Sequence, residues 1–189
     1  MAETGWRRGC GDPATYESLR QVALRIGRER QDPLDRLQPL TDAFWEALHP
    51  RGVSWIGFYL EDTEASLASA GQDALMVLSA RRDKPACSPI GVHGACGQSF
   101  REESVRLIED VALLGPNYIA CDPRDRSELV MPIYRNGIRW GVLDADSHEF
   151  ACFGDADIVG MAGVLWAAGL LLRDLPIRAD RLRRTAESL

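Results

Sequence analysis

The sequence predicts an α+β domain in which an antiparallel sheet is sandwiched between helices, and three observations predict it. Apolar residues recur at helical spacing near the N-terminus, over Leu19, Val22 and Ile26 and again over Leu37, Leu40, Phe44 and Leu48. A long apolar run, Ile158 to Leu172, lies near the other end. Between them sit short apolar segments, two of which flank Asn136-Gly137, a dipeptide that closes tight antiparallel hairpins. Helices at both ends of a sheet, rather than alternating with its strands, argue against a doubly wound parallel architecture.

Taken in order, Asp12-Pro13 supplies an N-cap and a proline at the first helical position, and Gly27 ends the first helix. Asp32-Pro33 repeats the signal, with Pro39 expected to kink the second helix and His49-Pro50 to stop it. Val53 to Leu60 is apolar on both faces, as a covered central strand should be, and Trp55 and Tyr59 share one face. Glu61 to Gln72 reads as a loop and Ala74 to Leu78 as a second strand. Arg81 to Cys96 carries prolines and glycines with no period, a long loop of the kind that is usually functional. A short helix over Gly97 to Glu103 and strands over Val105 to Ile108, Ser127 to Tyr134 and Ile138 to Asp146 follow, with Pro116 to Asp125 irregular. Asp155 or a neighbour caps the final helix, expected to end near Asp174 ahead of Pro176. The division is then a 1–12 extension, one domain over 13–175, and a 176–189 tail carrying Arg178, Arg181, Arg183 and Arg184.

The bulk numbers bound the function. A chain of 189 residues that is 46% hydrophobic has a real core. Its 22 basic and 28 acidic residues leave −6, which argues against a broad surface for nucleic acid or anionic membrane. The apolar run near the C-terminus is shorter than the roughly 18 to 20 residues a membrane span needs. The first residues have no apolar segment of the secretory kind, so a cytoplasmic location is expected, where an odd five cysteines read as free, catalytic or metal-binding thiols.

Three of those cysteines fall between Lys84 and Asp122: Cys87, Cys96 and Cys121, together with His93. A thiolate attacks only if its pKa is lowered, by a helix N-terminus or by nearby cations. Cys96 stands at a helix start, whereas Cys121 is flanked by Asp122, which opposes ionisation, and by Arg124 and Arg126, which favour it. A second thiol within reach would let a sulfenic acid condense to a disulfide. A zinc site from Cys87, His93, Cys96 and Cys121 lacks a C-x₂-C knuckle. Cys10 and Cys152 carry no motif and read as ordinary buried cysteines.

Glu128, Asp144 and Asp146 read either as strand-edge solvation or as the acids of a pocket, and alternation discriminates. A two-residue Asn136-Gly137 loop puts Glu128 opposite Ala145, on the wrong face for both aspartates. A three-residue loop with a glycine bulge pairs it with Asp144. A pocket using all three acids needs that second register, or a bulge elsewhere. Trp55 and Tyr59 are ordinary core residues unless an independent reason promotes them.

The segments KPAC at 84–87, GACG at 94–97, IACD at 119–122, SELVMP at 127–132, GVLDADS at 141–147 and WIGFYL at 55–60 closely resemble the free methionine-(R)-sulfoxide reductases, stand-alone GAF domains. The likeness runs in order across about two-thirds of the chain, with the Cys87–Cys96 interval one residue shorter than the family pattern. It implies a GAF-like antiparallel sheet of about six strands and a small pocket for free methionine sulfoxide. By position it makes Cys121 the nucleophile, Cys87 the resolving thiol and Cys96 an auxiliary thiol. Glu128, Asp144 and Asp146 would hold the substrate and assist protonation, with Trp55 and Tyr59 as the aromatic wall. It implies no bound cofactor or metal and a disulfide reset by thioredoxin or a similar external dithiol; the glycine-rich last helix offers a contact for a homodimer. The rival readings are a ligand-binding GAF sensor without catalysis and a degenerate reductase of low turnover.

Overall fold

A computed structural model of the chain describes residues 9–62, 75–117, 121–171 and 179–182. α1 (Pro13–Glu29) starts where Asp12 accepts from the Thr15 N–H at 2.8 Å, with Pro13 in the first turn. α2 (Leu34–Leu48) opens beside Asp32, whose side chain takes the Leu34 N–H at 3.0 Å, and it runs on through Pro39 as one helix. Seven strands follow: β1 (Val53–Asp62), β2 (Leu75–Arg82), β3 (Ile90–Gly91), β4 (Val105–Ile108), β5 (Ser127–Arg135), β6 (Ile138–Ser147) and β7 (Ala179–Leu182). α3 (Ala95–Glu102) lies between β3 and β4, a 3₁₀ turn covers Val111–Asn117, and α4 (Asp155–Ala167) follows β6.

The sheet order is β3-β2-β1-β6-β5-β4-β7. All neighbours are antiparallel except β4 and β7, which pair in parallel. The extra strand comes from the arginine-bearing tail, where Ala179–Leu182 pairs with Val105–Ile108. Backbone hydrogen bonding along a sheet edge needs no apolar side chains, which is why hydropathy did not mark it.

Two expectations are corrected. α4 ends at Ala167, not near Asp174: Gly169 takes φ +72°, and the N–H groups of Gly169 and Leu170 return to the carbonyls of Trp166 and Leu165. That double return is the Schellman termination, and glycine enters the left-handed region without a Cβ clash. The short helix after the long loop begins at Ala95, so Cys96 lies inside it. Asp174, Pro176, Arg178, Arg183, Arg184 and Ile119 lie outside the described residues, as does the predicted loop beyond Asp62.

Alternation sorts the strands into two faces. Ile56, Phe58, Leu129, Met131, Ile133, Leu143 and Ala145 point into one core with α1, α2 and α4. Trp55, Tyr59, Val130 and Val142 point the other way, into a smaller cluster with Ile90, Val92 and Phe100 of the β3–α3 region. No described helix is long and apolar enough to cross a membrane.

Candidate active site

The second face carries the acids and thiols singled out in the sequence. Across the sheet, Trp55 pairs with Asp146, Gly57 with Asp144 and Tyr59 with Val142, while Glu128 pairs with Asp146 and Val130 with Asp144. The hairpin reaches this register with the two-residue loop, since Arg135 pairs with Ile138 and Tyr134 with Arg139. Ile133 then pairs with Gly141, leaving Trp140 as an extra residue on β6. That one-residue bulge reverses the facing of everything beyond it and moves Glu128 from Ala145 to Asp146. Gly57 is required by contact: a Cβ there would stand 2.4 Å from the Trp55 ring and 2.8 Å from the Ala80 carbonyl oxygen.

Trp55, Tyr59, Cys96, Cys121, Asp125, Glu128, Asp144 and Asp146 line one pocket of about 500 Å³, mouth included. Ala86, Ile90, Gly91, Gly94 and Ala95 complete its rim. The Trp55 and Tyr59 rings lie 6.0 Å apart and tilted by 34°. Each also holds the KPAC segment, Trp55 Nε1 donating to the Lys84 carbonyl at 3.1 Å and Tyr59 Oη to the Cys87 carbonyl at 2.8 Å.

The acids sit in a medium that disfavours their charged forms. Asp144 is pushed up to about 7, first by burial, while a hydrogen bond from the Cys96 thiol to its Oδ2 at 3.2 Å pulls the other way. Glu128 is raised well above the ordinary carboxylate range by burial and then by the charge of Asp144. Asp146 is raised likewise, by burial and then by Asp144 and Glu128. Asp125, raised by burial and then by Asp122, is a fourth acid that sequence reasoning missed. In the run Asp122-Pro-Arg-Asp it reads as a solvated turn charge, and no spacing marks it as buried.

The three thiols differ. Cys87 and Cys121 are exposed and Cys96 is buried. Cys121 lines the pocket, and Cys87 lies near enough to act on its ionisation. The Cys121 thiol is pushed up to about 12, by partial burial and then by its bond to Cys87, with Asp144 adding a smaller push. Cys96 is raised well above an ordinary thiol by burial and by Asp144 and Glu128. The expected lowering at a helix start does not occur: buried negative charge outweighs the partial charge of one short helix. Asp122 binds Lys84, Arg124 at 2.9 Å and His148 at 3.3 Å, and these bonds hold it well below the carboxylate range. One carboxylate therefore ties together the Cys87 loop, the Cys121 turn and the end of β6. His93 is exposed and outside the pocket lining, so among the described residues the zinc set drawn through it does not gather.

No family model matches the chain. It is 36% identical over 104 residues to GAF domain-containing protein A of Dictyostelium discoideum, covering 54% of this chain and 60% of that protein. It is 36% identical over 110 residues to the free methionine-R-sulfoxide reductase of Escherichia coli K12, covering 58% and 60%. The chain thus spans about three fifths of the length of each of these relatives. A solved free methionine-R-sulfoxide reductase from Neisseria meningitidis, in complex with its substrate, superposes with a TM-score of 0.71 at 26% identity, covering 85% of this chain and 91% of that one. The fold and the facing of its strands make this a GAF-fold protein with a thiol-bearing pocket. Within that class the chain is similar to the free methionine-R-sulfoxide reductases of Escherichia coli and Neisseria meningitidis.

Proposed function

We propose that the chain reduces free methionine (R)-S-oxide to methionine, with Cys121 as nucleophile and Cys87 as resolving thiol. The observation that carries this is the pairing of two exposed, interacting thiols, one of them lining a pocket that holds Asp125, Glu128, Asp144 and Asp146 and is walled by Trp55 and Tyr59. The sulfoxide class and its R configuration come from the names of the relatives.

The chemistry fits the groups present. Sulfoxide oxygen leaves poorly until protonated, and Asp144 near 7 keeps a proton available at neutral pH, as do Glu128 and Asp146. A free amino acid brings an ammonium, which the remaining carboxylates neutralise; a residue within a peptide lacks it. α3 has no side-chain cap at Gly94, and Gly94, Ala95 and Cys96 line the pocket, so its first N–H groups are available to the substrate carboxylate. The aromatic pair suits a methylthio group through sulfur–ring contact.

Attack by the Cys121 thiolate on the sulfoxide sulfur, with oxygen passing to Cys121 under protonation, releases methionine and leaves a sulfenic acid. The Cys87 thiol then attacks that sulfur, forming the disulfide and expelling water. An external dithiol of the thioredoxin type exchanges with the exposed disulfide and restores both thiols. A bound ammonium also offsets the negative field that raises Cys121. Buried against Asp144, Cys96 is a poor first resolver and serves as an auxiliary thiol at most.

Thioredoxin-coupled NADPH consumption tests the reading. Turnover is expected with the R epimer and not the S epimer. Saturable binding without turnover would replace it with the sensor reading, and slow turnover of the R epimer alone would indicate a degenerate reductase.

A further inference from the structure

The two cysteines outside the pocket also form a pair. Asp157, fully buried at the start of α4, accepts from the Gly11 N–H at 2.8 Å, the Tyr16 hydroxyl at 2.6 Å, the Gly154 N–H at 2.7 Å and the Cys10 N–H at 3.2 Å. These bonds fix residues 10–11 against the entry to α4. Cys152 sits in that entry, its N–H donating to Ser127 Oγ at 3.2 Å. The Cys10 thiol donates to Asp157 Oδ1 at 3.4 Å, and the Cys10 and Cys152 side chains are half-buried, near enough to shift one another's ionisation, and packed at the edge of the helix-side core. Backbone anchoring on both sides of a neighbouring thiol pair favours disulfide closure, because the two segments are held beside one another.

We propose that Cys10 and Cys152 are a second redox site, a dithiol that hydroperoxides convert to a disulfide joining the N-terminal segment to the entry of α4. The two thiols divide the work. The neighbouring Cys10 and Ser147 side chains lower the Cys152 pKa, whereas Cys10 is raised by Cys152, by burial and by the charge of Asp157. Cys152 therefore attacks the peroxide oxygen, the O–O bond breaks, and the departing hydroxide or alkoxide is protonated and leaves as water or, from an organic hydroperoxide, as the alcohol. The Cys10 sulfur then attacks the Cys152 sulfenic acid, forming the S–S bond and releasing water. The two thiols give up two electrons and the peroxide takes them. Hydroperoxides also oxidise methionine to its sulfoxide, so this site meets the oxidant from which the proposed substrate arises. It lies on the opposite side of the sheet from Cys87, Cys96 and Cys121.

The test uses hydrogen peroxide on the wild-type chain, then alkylation, non-reducing digestion and mass spectrometry. The expected product is a Cys10–Cys152 linked peptide that separates on adding dithiothreitol. In the Cys87→Ser/Cys96→Ser/Cys121→Ser variant, two titratable thiols should fall to none, and in Cys10→Ser the sulfenic acid at Cys152 should be trapped by dimedone. Cys10 and Cys152 both alkylated after peroxide has consumed Cys121 would overturn the proposal, as would Cys152 advancing to sulfinic acid with no link. Because the probe is peroxide, a chain inactive on methionine sulfoxide would still form the link.

Discussion

The two faces of the sheet are built from the same strands and obey opposite rules. Toward α1, α2 and α4, Ile56, Phe58, Leu129, Ile133 and Leu143 are fully buried among apolar neighbours, and their work is cohesion. One residue away along each strand, Asp144 and Glu128 are also buried and Asp146 is half-buried, yet all three keep raised pKa values, the mark of groups that trade stability for chemistry. Both faces carry a thiol pair. The pocket pair is exposed, with Cys121 raised first by its partial burial and then by Cys87, while the other is wedged against a core with Cys152 lowered.

The largest effect that should separate the faces is Cys121→Ser. Turnover is expected to fall on the order of 10³-fold or more with an unchanged melting temperature, measured by the coupled assay and calorimetry; equal activity would return the chemistry to another thiol. Phe58→Ala breaks the other face. It should cost about 3–5 kcal/mol in denaturant unfolding, and the part that remains folded should keep the pocket's affinity for substrate.

The acids give a pH test. A carboxyl whose folded pKa lies above its unfolded value holds its proton more tightly when folded, so its contribution to stability is greatest below the unfolded pKa. That contribution is lost as pH rises toward the folded value. For Asp144 the window runs from about 4, the ordinary carboxylate value, up to its folded value of about 7. Substrate-free protein should therefore lose stability across that window, and Asp144→Asn should flatten the loss by up to a few kcal/mol. A variant with the same slope in pH-dependent denaturation would mean that Asp144 is not the titrating group. The smallest effect is Tyr59→Phe, which deletes the bond to the Cys87 carbonyl. It should slow disulfide formation by about 2- to 10-fold, the worth of one net hydrogen bond, while a single turnover still releases methionine at the wild-type rate in rapid-quench kinetics.

Much of this was legible before folding because it is local. Asp12-Pro13, Asn136-Gly137 and the alternation in Val53–Leu60 depend on the nearest few residues, and their elements form where expected. Glu128, Asp144, Asp146, Trp55 and Tyr59 were each singled out, and they line one pocket. Asp125 was not, because burial of a turn aspartate depends on what folds over it. The early end of α4 was signalled by Gly169, but the apolar run through Leu172 outweighed it.

The sequence by itself determined the order of elements, the hairpin and the inventory of thiols and acids, since each follows from backbone preference or from residue type at close range. Only the tertiary structure decided their meaning. The Trp140 bulge, invisible in composition, sets which face three acids share, because side chains alternate with a period of two and one extra residue inverts everything beyond it. Pairings between Cys87 and Cys121, and between Cys10 and Cys152, join segments 34 and 142 positions apart. Separations of that length carry no local energetic trace, so only the packed chain brings the sulfurs together.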